Sequence, residues 1–123
     1  EIQATLAALK EHYPKRNVVA VFQPHTYSRT AALLNDFARS FADASRVIIA
    51  DIYASAREQS GAVGGRELYE AVSREHPSVQ FAPDVDEAHK LAHQYMESNT
   101  VIVTLGAGDI WQVARRLARE AGS

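Results

Sequence analysis

The sequence predicts an α/β fold in which helices flank a doubly wound, mostly parallel β-sheet. Four short apolar runs rich in β-branched residues stand out, and three of them are nearly continuous, as is typical of strands covered on both faces. Stretches with helical spacing of apolar residues separate these runs, and such alternation of strands and helices is typical of a parallel sheet. The chain has 123 residues, which is about the length of one domain.

The predicted elements follow one another in the order α-β-α-β-α-β-α-β-α. The first helix begins at the start of the chain and ends at Pro14, since proline cannot continue a helix. Asp84 and Glu87 match the N-cap and N3 positions of a capping box and mark the start of a later helix. Right-handed crossovers then give a Rossmann-like sheet. The strands are predicted at residues 18–22, 47–50, 79–81 and 101–105, and helical stripes lie within residues 2–9, 33–41, 68–72, 85–96 and 110–117.

The composition argues against several classes of protein. With 13 basic and 15 acidic residues the net charge is −2, which argues against a protein that binds nucleic acid by neutralising phosphates. The sequence has no cysteine, so it offers no disulfide, thiol nucleophile or cysteine zinc site. The apolar runs are too short for a membrane span, and we expect a cytoplasmic protein with no nucleic-acid or membrane partner. The first helix begins at Glu1 without a cap, so we expect this chain to be a piece of a longer one.

Candidate functional residues follow the first strand. In open parallel sheets the functional crevice lies beyond the carboxyl ends of the strands, where the strand order reverses. If the order is 3-2-1-4, the loops after the first and fourth strands face each other. In the first of these loops, His25 and Arg29 are four residues apart, and they could relay a proton and bind a carboxylate or phosphate. The alternative is that His25 is a turn residue, Arg29 is solvated, and Ser28 or Thr30 caps a helix.

The loop after the fourth strand begins with Gly106 and Gly108. The dinucleotide-binding fingerprint needs a third small residue where this chain has Trp111, so the match to that fingerprint fails. Asp109 would repel an anion at the start of the next helix, and it suits an ammonium group, a metal-bound species or simple helix capping better.

Weaker candidates follow the second strand and lie on the fourth predicted helix. Arg57 and Glu58 could contact a polar ligand, although a surface ion pair is the commoner outcome. His89 and His93 have a spacing that can bind a metal, but a solvated helix face is the favoured interpretation. Residues 60–65 form a glycine-rich loop, and Gly64 and Gly65 are predicted to lie away from the sheet centre. The sequence contains no phosphate-binding loop of the ATPase type and no nucleophile elbow.

Three stretches strongly resemble the C-terminal domain of the Mur ligase family. They are Val-Ala-Val-Phe-Gln-Pro-His-Thr-Tyr-Ser-Arg-Thr at 19–30, Asp-Ile-Tyr-Ala-Ser-Ala-Arg-Glu at 51–58 and Thr-Leu-Gly-Ala-Gly-Asp-Ile at 104–110. The resemblance covers essentially the whole chain, and the Phe-Gln-Pro-His-x-x-x-Arg-Thr pattern is its most specific part.

The resemblance implies one domain of a three-domain, ATP-dependent ligase of peptidoglycan synthesis. The full enzyme would phosphorylate the carboxylate of UDP-N-acetylmuramate with ATP and Mg²⁺, and the amine of L-alanine would then attack the acyl phosphate. This chain would be the last domain, would work with the missing N-terminal and central domains, and would by itself hold no catalytic residue, metal or nucleotide. Thr26 stands where many members have Arg, so Arg29 is expected to bind more of the anion. The residues implied at the amino-acid and phosphate end of the cleft are His25, Thr26, Arg29, Arg57, Glu58, Gly106, Gly108 and Asp109.

Two other functions remain open at this point. Within the family, the alternative is the ligase that attaches a recycled murein tripeptide to the same sugar. From another class, the alternative is a stand-alone module that binds a nucleotide or sugar phosphate.

Overall fold

The described part of the chain alternates between helices and strands, as the sequence predicts. The computed structural model describes residues 2–24, 34–51, 65–97, 99–106 and 108–121. The strands are β1 (Asn17–Phe22), β2 (Arg46–Ala50), β3 (Val79–Ala82) and β4 (Thr100–Leu105). The helices are α1 (Ile2–His12), α2 (described over residues 34–39), α3 (Gly65–Glu75), α4 (Val85–His93) and α5 (Trp111–Ala121).

The described strands form one parallel sheet in the order β3-β2-β1-β4. In its central pairs, Ala20 of β1 lies beside Val47 of β2 and Val103 of β4. The chain moves from β1 outward to β3 and then returns to add β4 on the other side of β1. The predicted doubly wound α/β fold is therefore confirmed, and the strand order reverses between β1 and β4.

The two faces of the sheet are covered by different helices and filled by different side chains. Successive strand residues point to opposite faces, so Val18, Ala20 and Phe22 meet α1, α2 and α3, whereas Val19 and Val21 meet α4 and α5. The first face is rich in aromatic rings. Phe22 contacts Phe37 and Phe41 with ring centroids 5.4 and 5.6 Å apart. The second face is rich in fully buried alanines: Ala50, Ala82, Ala88 and Ala92.

A histidine joins two chain segments at the amino ends of the strands. His76 is buried and lies just after α3. Its Nε2 donates to the carbonyl of Ala44 at 2.7 Å, and its Nδ1 accepts from the backbone N–H of Ser78 at 3.0 Å. Because one ring nitrogen must donate and the other must accept, these contacts require the neutral imidazole with its proton on Nε2. One side chain thus joins the segments that lead into β2 and β3.

The predicted N-cap of α4 is confirmed. Asp84 has extended backbone geometry, and its Oδ1 accepts from the backbone N–H of Glu87 at 2.8 Å. Such a cap satisfies one of the N–H groups that a helix start leaves without an intrahelical partner.

Polar contacts join α4 to α5. The ring of His89 is buried and its Nε2 lies 2.9 Å from Glu120 Oε1, while the exposed His93 lies 3.7 Å from the same oxygen. Nearby, Arg116 donates to Asp86 at 2.8 Å. The interpretation of this face as solvated is therefore wrong for His89, because the packing of α5 on α4 covers its ring.

No helix within the described ranges is both long enough and apolar enough to cross a membrane.

The Glu120 contact predicts a pH dependence of stability. The hydrogen bond from His89 holds the pKa of Glu120 below its usual 4.5. A carboxyl group whose pKa is lowered by folding stabilises the folded state above its ordinary pKa and loses that effect as the pH falls through the lowered value. Glu120→Gln should therefore be less stable than the wild type near pH 6, and the difference should shrink below pH 4.5. Urea unfolding across this range measures it, with the exposed Glu70→Gln as control; a difference independent of pH would contradict it.

Candidate functional site

Three polar residues and a glycine, from the ends of three strands, meet where the strand order reverses. They are Gln23 after β1, Asp51 after β2, and Gly106 and Asp109 after β4. We call these four residues the switch-point cluster. The prediction that the segments after β1, β2 and β4 converge on one edge is confirmed for the residues that the structure describes. This position is where open parallel sheets usually bind ligands.

Gln23 lies at the centre of the switch-point cluster. Its backbone N–H donates to the carbonyl of Leu105 at 2.9 Å, which extends the β1–β4 ladder by one residue. Its side chain is 4% exposed, and its Nε2 donates to Asp109 Oδ1 at 3.0 Å and to the carbonyl of Asp51 at 3.3 Å. The amide of one residue therefore connects the ends of β1, β2 and β4.

The orientation of this amide follows from its neighbours. Both Asp51 O and Asp109 Oδ1 are acceptors, so the NH₂ group and not the carbonyl oxygen of Gln23 must face them. The carbonyl oxygen, Oε1, is buried, and none of the described residues donates to it. A buried acceptor without a donor costs about 1–3 kcal/mol, which the two bonds made by Nε2 offset.

Gly106 allows the ends of β1 and β4 to lie side by side. Its φ of +137° falls in a region that only glycine adopts readily. A Cβ at this position would lie 2.5 Å from the carbonyl oxygen of Gln23. The glycine is thus required by the backbone itself, independently of any phosphate.

Asp109 lies in the turn between β4 and α5. Its backbone carbonyl accepts from Gln112 N–H at 3.1 Å and so begins the first turn of the helix. Its half-buried carboxylate receives the hydrogen bond from Gln23. A carboxylate at this position can attract a positively charged or hydrogen-bond-donating group of a ligand.

Asp51 connects the end of β2 to the start of α3. Its Oδ1 accepts from the backbone N–H of Gly65 at 3.1 Å, and a Cβ on Gly65 would lie 2.6 Å from Asp51 Cα. The prediction that Gly64 and Gly65 lie away from the sheet centre is therefore wrong for Gly65, whereas Gly64 lies outside the described residues. The helix starts directly against an interior strand, because a residue without a side chain permits that approach.

The predicted site residues fall into two groups. Gly106, Gly108 and Asp109 lie at the switch-point edge. His25, Thr26, Arg29, Arg57 and Glu58 lie outside the described residues, so their role stays a prediction.

Sequence reasoning missed Gln23 and Asp51 as members of the site. Each directly follows a buried apolar run. That position was the available signal, because a polar residue there meets the open edge of the sheet. Their contacts depend on strand order and could not be read from local sequence.

The described residues do not fit a bound metal. They contain no group of three or more His, Cys, Asp or Glu side chains that could hold a metal ion, and His89 and His93 share one carboxylate instead.

Comparison with known proteins assigns the family. The family model described as "Mur ligase, glutamate ligase domain" matches residues 1–108. The chain belongs to the Mur ligase family. The resemblance found in the sequence is thereby confirmed.

Three similar curated relatives carry the same name. Proteins called UDP-N-acetylmuramate–L-alanine ligase are 43% identical over 98% of this chain in Alkaliphilus metalliredigens, 44% identical over 93% in Acidithiobacillus ferrooxidans and 47% identical over 88% in Treponema pallidum. The chain spans about a quarter of their length, 26%, 25% and 23% respectively.

A solved structure shares the fold. It is a domain assigned to a UDP-N-acetylmuramate:L-alanyl-gamma-D-glutamyl-diaminopimelate ligase from Haemophilus ducreyi. The match has a TM-score of 0.67 and 24% identity, and it covers 97% of this chain and 80% of that one. At this identity the likeness is evidence of a shared fold alone.

The crowding at Gly106 predicts a large cost for any side chain there. Gly106→Ala should lower the free energy of unfolding by about 2 kcal/mol or more, because it combines a strained φ with a steric clash. Urea unfolding of the chain measures the change, with Lys90→Ala on the exposed face of α4 as control. Equal stability of the two variants would contradict the close approach of β1 and β4.

Proposed function

We propose that this chain is the C-terminal, amino-acid-receiving domain of an ATP-dependent ligase that joins L-alanine to UDP-N-acetylmuramate. The observation that carries the proposal is the 43% identity to a protein of that name over 98% of the chain. Other relatives of the same name, at 44% and 47% identity, support it. The enzyme would act in the cytoplasm, in peptidoglycan synthesis.

The chemistry of the switch-point cluster fits the receipt of an amine. In the proposed reaction the muramoyl carboxylate becomes an acyl phosphate, the amine nitrogen of L-alanine attacks the acyl carbon, and the C–O bond to phosphate breaks as the amide forms. On the way from ammonium to amide the nitrogen loses two of its three protons and keeps one as the amide N–H. A carboxylate such as Asp109 can accept a hydrogen bond from that nitrogen and orient it.

The same carboxylate disfavours a phosphate in its immediate neighbourhood. Two negative groups close together repel each other strongly in a cleft that excludes water. The sequence contains no phosphate-binding loop of the ATPase type. The full-length enzyme would use ATP and Mg²⁺, and the resemblance to the family implies that its central domain carries the phosphate-binding loop.

The residues of the first two loops would serve the other groups in the cleft. Arg29 would bind the carboxylate of L-alanine or the transferred phosphate, since its planar guanidinium can donate two parallel hydrogen bonds. His25 and Thr26 would lie beside it, and Arg57 and Glu58 would contact polar groups of the substrates.

A ligase that attaches a recycled tripeptide is the second candidate. The name of the solved domain from Haemophilus ducreyi describes a ligase for such a tripeptide. At 24% identity, however, that domain is evidence for the fold alone. The relatives at 43–47% identity favour the single amino acid.

Turnover by the full-length protein tests the proposal. With UDP-N-acetylmuramate, ATP, Mg²⁺ and L-alanine, it should release phosphate and form the L-alanyl amide, which mass spectrometry detects. Residues 1–123 alone should form no product. Product from a tripeptide but not from L-alanine would favour the second candidate. Strong thermal stabilisation of the chain alone by ADP would favour a stand-alone nucleotide-binding module.

Replacing Arg29 tests the anion contact. In the full-length enzyme, Arg29→Ala should lower kcat/KM by tens to thousands-fold, since a charge-assisted contact in a closed cleft is worth about 2–5 kcal/mol. Arg29→Lys should recover only part, because a point charge cannot replace the planar guanidinium. Steady-state kinetics beside melting temperatures measure both variants. Arg39→Ala, at a side chain that is 71% exposed, is the matched control, and equal kinetics for Arg39→Ala and Arg29→Ala would show that Arg29 is merely solvated.

A further inference from the structure

We infer that Gln23 is a positioning residue, which fixes the carboxylate of Asp109 for the amine of the incoming amino acid without touching that amine itself. The inference deepens the proposed function and rests on it for the identity of the amine. Gln23 is 4% exposed and its Nε2 lies 3.0 Å from Asp109 Oδ1. It is therefore behind the carboxylate and not in the open cleft.

The amide of Gln23 is held in place from the opposite side. The Nε2 group donates one hydrogen bond to the Asp109 carboxylate and the other to the carbonyl of Asp51 at 3.3 Å. Asp51 is itself fixed in the ladder, because its backbone N–H donates to Ala82 at 2.9 Å. The amide cannot turn to follow Asp109, so the carboxylate must adopt the orientation that the amide dictates.

An amide suits this role better than a basic side chain. It donates a hydrogen bond to the carboxylate and adds no positive charge of its own. A lysine or arginine would neutralise that charge and weaken its attraction for an ammonium group. The amide thus fixes the carboxylate without placing a positive charge beside it, and this arrangement suits the recognition of an amine.

The carbonyl oxygen of the Gln23 side chain, Oε1, supports the same conclusion. Oε1 is buried without a donor among the described residues, which is unfavourable. Turning the amide over would be worse, because it would set Oε1 against the oxygens of Asp51 and Asp109. The orientation kept in the structure is the one that serves Asp109.

The contact itself is testable in the isolated chain. Nuclear magnetic resonance should show slow hydrogen exchange for the side-chain amide of Gln23, and Asp109→Ala should shift its signals. Gln80 provides the internal control, since its oxygen accepts from Tyr95 at 2.9 Å and its amide should not respond to Asp109→Ala. Unchanged Gln23 signals would overturn the inference, whatever the reaction of the full-length protein.

The functional half is testable in the full-length enzyme. Gln23→Met, which keeps the side-chain length but removes both donors, should raise the KM for L-alanine about 10- to 100-fold, as expected for a lost hydrogen bond to a charged group. Asp109→Ala should raise it at least as much, and the double variant no further. Gln23→Glu should be at least as poor as Gln23→Met, because a carboxylate would face two acceptor oxygens. The KM for ATP and the melting temperature should stay near those of Gln80→Met.

The outcomes separate this inference from the proposed function. If Asp109→Ala raises the KM for L-alanine and Gln23→Met does not, or if the effects of the two simply multiply, the positioning role is wrong and the proposed function stands. If neither variant changes that KM in an active L-alanine ligase, the amine contact at Asp109 is wrong as well. If the protein makes no amide from L-alanine, the proposed function fails, and so does the positioning role as stated for this amine.

Discussion

The close approach of β1 and β4 at their carboxyl ends is the constraint on which the rest of the site depends. Gly106 has the backbone geometry and the missing side chain that let the two ends run side by side. The ladder therefore continues to Gln23, and the alternation of side chains along β1 then turns that residue toward α5. A shift of one residue in register would turn Gln23 to the opposite face, away from Asp109.

The two acidic residues of the edge have different structural partners. Asp51 receives the first N–H of α3, a contact that connects a strand end to a helix start on the same face. Asp109 is bound by a side chain from β1 and leaves α5 to begin from its backbone carbonyl. At the amino ends of the strands, the ring of His76 makes one hydrogen bond with the carbonyl of Ala44 and one with the N–H of Ser78. At the carboxyl edge, by contrast, Gln23 Oε1 receives no hydrogen bond from the residues that the structure describes.

The local pattern of apolar residues predicts the helices and strands well. The strands have short apolar runs rich in β-branched residues, and the helices have apolar residues at helical spacing. The N-cap Asp84 was equally readable, since its partner is three residues away. Contacts between distant segments were not readable: Gln23 and Asp109 are 86 residues apart, and the burial of His89 depends on α5. Gly65 was misjudged because a glycine-rich stretch predicts a turn but not what its last residue packs against. Within the site, the position of Gly106 and Asp109 after the fourth strand is enough to predict both residues. Gln23 also follows a strand, but the sequence does not show that it contacts Asp109.

The unequal filling of the two faces has a consequence for how this sequence can diverge. Under α1, α2 and α3, the Phe22 and Phe41 rings occupy large volumes, so drift toward smaller residues opens voids and costs stability alone. Under α4, Ala88 and Ala92 are fully buried, so larger residues there would have to displace their neighbours. Because α5 contacts α4 through His89 and Glu120, a displaced α4 would also disturb the packing of α5. Changes on the first face therefore act on stability, whereas changes on the second face also act on the helix that follows Asp109.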